Sequence, residues 1–392
     1  MFAHLRKRLA ELDAQIVEQR RALAELEQTR SDVERELHAT AYPVLTLPVE
    51  ITTEIFLQCH LVLGRLCFPN DYEGRNSTDL ASVCSAWREI ALATPILWSE
   101  LVLRFHRMPS GLAPPQRPGL MEGCIDRRLT RARGCPLTLH IECRGTEGFP
   151  LSRLRDIIHR WSHRLQYLHL DIGGRDMSQL ELDSVSFPLL HGVTLDCAYN
   201  PHLHRSRRLF ADAPRFHDLC LLSKTEIYIP LEFSLPWLQL TKFEGALHDL
   251  SLFTLAPNLC EAISLFDPVG HSTVITHPNL RSLTTRADSR TDILKYLTLP
   301  GLQHLIVSYL PIRDSLVDFL SRSSPPLISL SVGEKYGTHF NNWARSLPST
   351  LESLEIRDAG SADGLVDPSI LDALPNLRTL IFQDVADGFS LL

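Results

Sequence analysis

No run in this 392-residue chain approaches the roughly 18 consecutive apolar residues that a membrane-spanning helix needs, so a bilayer span is excluded. The opening residues, MFAHLRKRLAELDAQ, have no apolar stretch behind their basic cluster and pass straight into a charged helical pattern, unlike a secretory signal. The nine cysteines (59, 67, 84, 124, 135, 143, 197, 220 and 260) form no CxxC pair; buried, reduced thiols in an intracellular compartment, cytoplasmic and/or nuclear, are the expectation. An excess of positive charge is missing too. With 39 Lys+Arg against 46 Asp+Glu the net charge is −7, the wrong sign for a phosphate-binding surface, and no nucleic-acid partner is expected. The local clusters Arg127, Arg128, Arg131, Arg133 and Arg205, Arg207, Arg208 read as solvated faces.

Signatures of chemistry are absent as well. There is no GxxxxGK[ST], no GxGxxG after a strand, no GxSxG and no HExxH. His159 and His163 have the spacing of a helical metal pair, but Arg160 and Arg164 beside them repel a dication; His202 and His204 sit in a loop with three arginines. Cys84 fits a buried structural thiol better than a nucleophile. No catalytic residue, metal or cofactor is expected, and no enzymatic activity.

What is present is a folded composition, 44% hydrophobic and 22% charged, in a chain longer than one compact core usually reaches. Residues 1–39 carry no glycine or proline and follow a heptad: Leu9, Ile16, Leu23, Arg30 and Leu37 at a, with Leu5, Leu12, Gln19, Leu26 and Val33 at d. This is a coiled-coil helix, suited to a homodimer or to packing on its own chain. For a parallel dimer only Arg8 with Asp13 forms an evident flanking charge pair.

After a turn at Thr40–Pro43 comes LTLPVEITTEIF (45–56). Pro48 reads as a helix start, and Leu47, Ile51 and Ile55 share one face. A polar loop, PNDYEGRNS, leads to LASVCSAWREIALATPILW (80–98), where Leu80, Val83, Cys84, Trp87, Ile90 and Ala91 keep helical spacing and Thr94-Pro95 starts a new turn. The ordered set LPxEIxxxIF, loop, LxxVCxxWRxIA and LW resembles an F-box over about 60 residues.

Beyond Phe105 a Pro/Gly-rich stretch reads as a linker. A unit of a proline-bearing turn and Leu-x-x-Leu-x-Leu then recurs: LQYLHL (165), LHGVTL (190), FHDLCL (216), LRSLTT (280), LQHLIV (302), LISLSV (327), LESLEI (351) and LRTLIF (377), with weaker copies near Leu240 and Leu259. Starts advance by about 19–26 residues, the period of leucine-rich repeats. Amphipathic stretches lie between: Leu151, Leu154, Ile158 and Trp161; Ile312, Leu316, Phe319 and Leu320; Phe340, Trp343 and Leu347. About ten stacked copies would share one core, with irregular curvature, because the usual Asn or Cys after the last leucine is replaced, by Gly173 and Lys224 for example. The expected fold is α/β: a coiled-coil helix (1–39), a small three-helix F-box-like module (40–105), a linker (106–120) and an irregular leucine-rich-repeat solenoid with a parallel concave sheet (121–392).

The resemblance implies a substrate-recognition subunit of an SCF-type cullin-RING ubiquitin ligase. It implies that Leu47, Pro48, Glu50, Ile51, Ile55, Val83, Trp87, Leu97 and Trp98 meet a Skp-type adaptor, with Trp87 equally suited to the module's own core. Strand alternation turns Tyr167, His169, Asp171, Thr194, Asp196, Lys242, Glu244, Arg286, His304, Ser308, Glu355 and Arg357 to the concave side. These suit a protein target, or are simply solvated strand faces. An interaction scaffold that does not direct ubiquitination is the other reading.

Overall fold

The recurring turn-and-strand unit builds one sheet, and a separate helical unit precedes it. The structure is a computed structural model. It describes residues 2–39, 47–66, 75–106, 118–144, 150–172, 177–196, 208–222, 235–247, 250–266, 273–285, 292–308, 313–333, 343–357 and 373–383. The turn at Thr40–Pro43, Gly173, Lys224, His202, His204, Arg205, Arg207, Arg286 and Phe340 lie outside the described residues. The chain is α/β and forms two compact units, Met1–Phe68 with Asn76–Thr94, and Pro69–Arg75 with Pro95–Leu392. No helix among the described residues is long and apolar enough to cross a membrane.

In the first unit, α1 (Phe2–Ala39) runs unbroken through the heptad segment. Its side chains are exposed from Phe2 to Glu36, with Asp32 alone half-covered, so none of the described residues packs over that stretch of the seam. Helix α2 (Val49–Leu66) starts one residue after Pro48, whose carbonyl accepts the Thr52 N–H (3.0 Å) and the Thr52 hydroxyl (3.2 Å). Proline is tolerated here because the residue before a helix owes it no N–H. The continuous spacing from Leu80 to Ala91 suggests one helix, but two are found, α3 (Arg75–Val83) and α4 (Ser85–Ala93). The break is Cys84, which is extended (φ −155°, ψ 172°) and accepts the Trp87 N–H on its sulfur at 3.5 Å. Phe56 is fully buried and meets Trp87 edge-on, ring centroids 5.0 Å apart.

The second unit opens with a 3-10 turn, Pro95–Trp98, and a strand, β1 (Glu100–His106). Its sheet therefore begins ahead of the Pro/Gly-rich stretch, inside residues that the sequence pattern groups with the helical module. The strands that follow are β2 (Leu137–Arg144), β3 (Leu165–Asp171), β4 (Gly192–Asp196), β5 (Asp218–Leu222), β6 (Lys242–Leu247), β7 (Glu261–Phe266), β8 (Ile275–Thr276), β9 (Ser282–Thr285), β10 (Leu297–Thr298), β11 (His304–Val307), β12 (Ser329–Gly333), β13 (Ser353–Arg357) and β14 (Thr379–Gln383). All but β8 and β10 join one 12-stranded parallel sheet in which each strand lies beside the next in sequence; β8 and β10 pair with each other. Helices α5 (Pro118–Arg131), α6 (Leu151–Trp161), α7 (Leu252–Leu255) and α8 (Arg313–Ser323) occupy four of the returns, and 3-10 turns at Met177–Leu180, Trp237–Gln239 and Ile293–Tyr296 serve others.

Register sets the core. Leu139, Leu168, Val193, Leu219, Phe243, Ala262, Leu283, Leu305, Leu330 and Leu354 are consecutive partners across ten strands, and all are buried. The next inward row is aliphatic at both ends but reads Gly245, Ser264, Thr285 in the middle, where the Ser264 hydroxyl donates to the Gly245 carbonyl. From β5 onward, the strand entrances of the large sheet repeat one backbone device. A single carbonyl accepts two successive N–H groups of the following strand, at His191, His217, Thr241, Cys260, Arg281, Gln303, Ile328 and Glu352. The turn just before is tied as well: Asn258, Asn279 and Asn376 donate their amides to the carbonyls of Leu238, Pro257 and Ser349 in the preceding turn. Thr350 does the same to Leu327. Polar ties between successive turns thus exist, placed ahead of β7, β9, β13 and β14.

Candidate functional site

Two exposed surfaces emerge, one in each unit. On the first, Leu47, Pro48, Val49, Glu50, Ile51 and Ile55 are all exposed, with Ile51 at 50% and Ile55 at 39%. The face follows from helical geometry: Thr52 and Phe56 turn inward, and the residues on either side of that stripe are left outward. Val83, also exposed, ends α3, one residue before the break, and so is released from the spacing that would align it with Trp87. Trp87 is half-buried against Phe56, and its indole N–H is buried with no partner among the described residues. It serves the module's interior.

Leu97 and Trp98 do not belong to this surface. They are 0% and 1% exposed within the second unit. Arg128 and Arg131 of α5 lie over the Trp98 ring at 5.6 and 4.7 Å, and Arg128 also donates to the Glu100 carbonyl at 3.2 Å. Two arginines of a cluster read from sequence as solvated are therefore committed to covering a buried indole.

On the second unit, the sheet face turned away from the leucine core carries three lateral rows. The first runs Thr138, Tyr167, Gly192, Asp218, Lys242, Glu261, Ser282, His304, Ser329, Ser353 and Thr379. A Cβ at Gly192 would come within 2.8 Å of the Tyr167 ring, so glycine here makes room for the tyrosine. Lys242 stands between Asp218 and Glu261 and pairs with Glu261 at 3.3 Å. Burial pulls the Lys242 ammonium down, but the bond and charge of Glu261, with Asp218 and Glu244, outweigh it and leave it raised. Burial raises the Asp218 carboxyl against the pull of Lys242.

The second row runs His140, His169, Thr194, Cys220, Glu244, Ile263, Thr284, Ile306, Ser331, Glu355 and Ile381. His140 and His169 stack at 5.4 Å. Desolvation, then the neighbouring His140, lowers the His169 pKa, while Glu142, Asp171 and Asp196 oppose this. Glu355 accepts the Ser331 hydroxyl at 2.7 Å. Ile306 and Ile381 are exposed and give this row apolar points of contact.

In the third row Ser308 and Arg357 are half-buried, and two guanidinium nitrogens of Arg357 are enclosed without a partner among the described residues. Asp171 and Asp196, however, are only 4% and 3% exposed and offer no contact surface. Strand alternation fixes which way a side chain points and says nothing of what closes over it. Conversely His140, Asp218, Glu261, Ile306 and Ile381 share the open face yet were not singled out by sequence. Their signal was positional: Asp218 fills the same slot of Leu-x-x-Leu-x-Leu as Tyr167 and His304, and Ile306 and Ile381 the same slot as Thr194 and Glu355.

Among the described residues no group of three or more His, Cys, Asp or Glu could hold a metal ion. His159 is held by a hydrogen bond between its Nε2 and the Leu180 carbonyl (2.9 Å), and Arg160 pairs with Asp126. The seven described cysteines form no disulfide with one another; Cys143 is buried, Cys124 is exposed and the rest are half-covered, so burial accounts for fewer of them than the sequence suggests. The open faces carry exposed aliphatics on α2 and α3, and alternating charges, histidines and two isoleucines on the sheet. Comparison with known protein families and with curated proteins gives no match.

Proposed function

We propose that the chain is the substrate-recognition subunit of an SCF-type cullin-RING ubiquitin ligase, with α2 to α4 as an F-box-like module and the sheet unit as an irregular leucine-rich-repeat solenoid. The module docks a Skp-type adaptor through Leu47, Pro48, Glu50, Ile51, Ile55 and Val83. The outward sheet rows hold a protein target, and the complex works in the cytoplasm or nucleus. The chain itself makes and breaks no bonds; it raises the effective concentration of target beside the ubiquitin donor.

The observation that carries this reading is the aliphatic stripe of α2, half-exposed at Ile51 and Ile55 beside a Phe56 that is completely buried. Leaving such a stripe in water is unfavourable by about 25 cal/mol per Å² of apolar surface, a cost that a partner removes. Co-expression with a Skp-type adaptor should give a stable complex on size exclusion. Ile51→Asp with Ile55→Asp should weaken it on the order of a thousandfold, from two central contacts worth about 2 kcal/mol each. Co-elution untouched by that pair refutes the assigned face. Ubiquitination of a captured protein by the reconstituted ligase separates a receptor from a scaffold.

A further inference from the structure

Helix α1 carries a further exposed surface of the first unit, apart from the α2 stripe assigned to the adaptor. Its a and d residues Leu5, Leu9, Leu12, Ile16, Leu23 and Leu26 are between 45% and 68% exposed, so nothing among the described residues covers the seam. The charges along the helix are polarised. Arg6, Lys7 and Arg8 lie at the N-terminal end with no acid in the first turn, and Glu34 and Glu36 lie near the C-terminal end. This opposes the helix macrodipole, which favours acids at the start and bases at the end.

We infer that α1 pairs with α1 of a second copy of this chain as an antiparallel two-stranded coiled coil. With a and d residues interleaved, Leu9 shares a layer with the second copy's Val33, Ile16 with Leu26, Leu23 with Gln19, and Arg30 with Leu12. The flanking positions then set Arg6 against Glu34 and Arg8 against Glu36, each twice by symmetry. Glu34 bonds Arg30 of its own helix through one oxygen only, at 3.0 Å, leaving the other for Arg6. The same pairing brings each basic end, with its partial positive dipole, beside an acidic end. Asp13 opposite Glu27 and Arg20 opposite its own copy count against it. The parallel alternative is worse: it puts Arg30 beside Arg30 in one core layer, clusters both basic ends together, and gains only Arg8 with Asp13.

The test uses the full chain and light scattering after size exclusion. The wild-type protein at tens of micromolar should show twice the monomer mass, and 1 M salt should weaken the pairing. Arg6→Glu with Arg8→Glu should raise the dimer Kd by about thirtyfold, because four surface contacts turn repulsive. That variant places acid at the helix start, where the macrodipole welcomes it, so loss of mass is not loss of helix. Adding Glu34→Arg and Glu36→Arg should restore the dimer. A monomeric wild type, a double variant as dimeric as wild type, or a quadruple variant that stays monomeric each overturns the antiparallel assignment.

Discussion

Gly301 should not tolerate a methyl group. It occupies the slot that Asn258, Asn279 and Asn376 fill in other turns, and a Cβ built on it overlaps the Pro278 carbonyl oxygen of the preceding turn. The clash is with backbone, so a turn must move, and overpacking of this kind costs about 1–3 kcal/mol. Stiffening of the unfolded chain returns about 0.4–1 kcal/mol. Gly301→Ala should therefore destabilise the sheet unit by about 1–2 kcal/mol, seen as a lower urea midpoint at unchanged m-value and a Tm drop of roughly 2–6 °C. The internal control is Gly123→Ala. That glycine lies in α5 with nothing within 4 Å of its added Cβ, so the same substitution should stabilise by about 0.5–1 kcal/mol. If Gly301→Ala proves as stable as wild type, the claim that the turns are stacked backbone on backbone is wrong.

Asn279→Ala removes the amide donated to the Pro257 carbonyl at 2.9 Å and should lower stability by about 1 kcal/mol in the same urea titration. Trp98→Ala empties a site closed by two arginines and should cost about 3–5 kcal/mol by thermal unfolding; retention of wild-type Tm would show that the indole is not part of the core. His169 and His191 both have depressed pKa values, chiefly by desolvation and then by the neighbouring histidines His140 and His217. The unfolded chain binds their protons more readily, so stability present above pH 6.5 is lost as pH falls below it. A Tm series from pH 7.5 to 5.5 should slope downward toward acid, and His169→Gln with His191→Gln should flatten it.

Periodicity carried most of the legible information. Leucine spacing gave the inward rows from β3 onward and the helices α6 and α8, because a strand or helix that buries one face must repeat at its own period. β1 and β2 escaped because their runs, ELVLRFH and LTLHIECR, lack the leucine signature and flank a Pro/Gly-rich stretch. The helix break at Cys84 was hidden because a thiol is a rare N-cap and the apolar spacing carries on through it. Of the surface residues, exposure of Ile51 and Ile55 followed from one helix's own geometry. That of Asp171, Asp196, Leu97 and Trp98 depended on segments distant in sequence, which no local pattern reports.

The order of strands in the sheet matches their order in the chain, save for the small β8–β10 ladder. Each strand leaving the ribosome meets a neighbour that is already complete, so the sheet can be laid down from its N-terminal edge without waiting for the end of synthesis. A transcript cut short at any later turn would still encode the upstream ladder, with a shorter row of side chains along it.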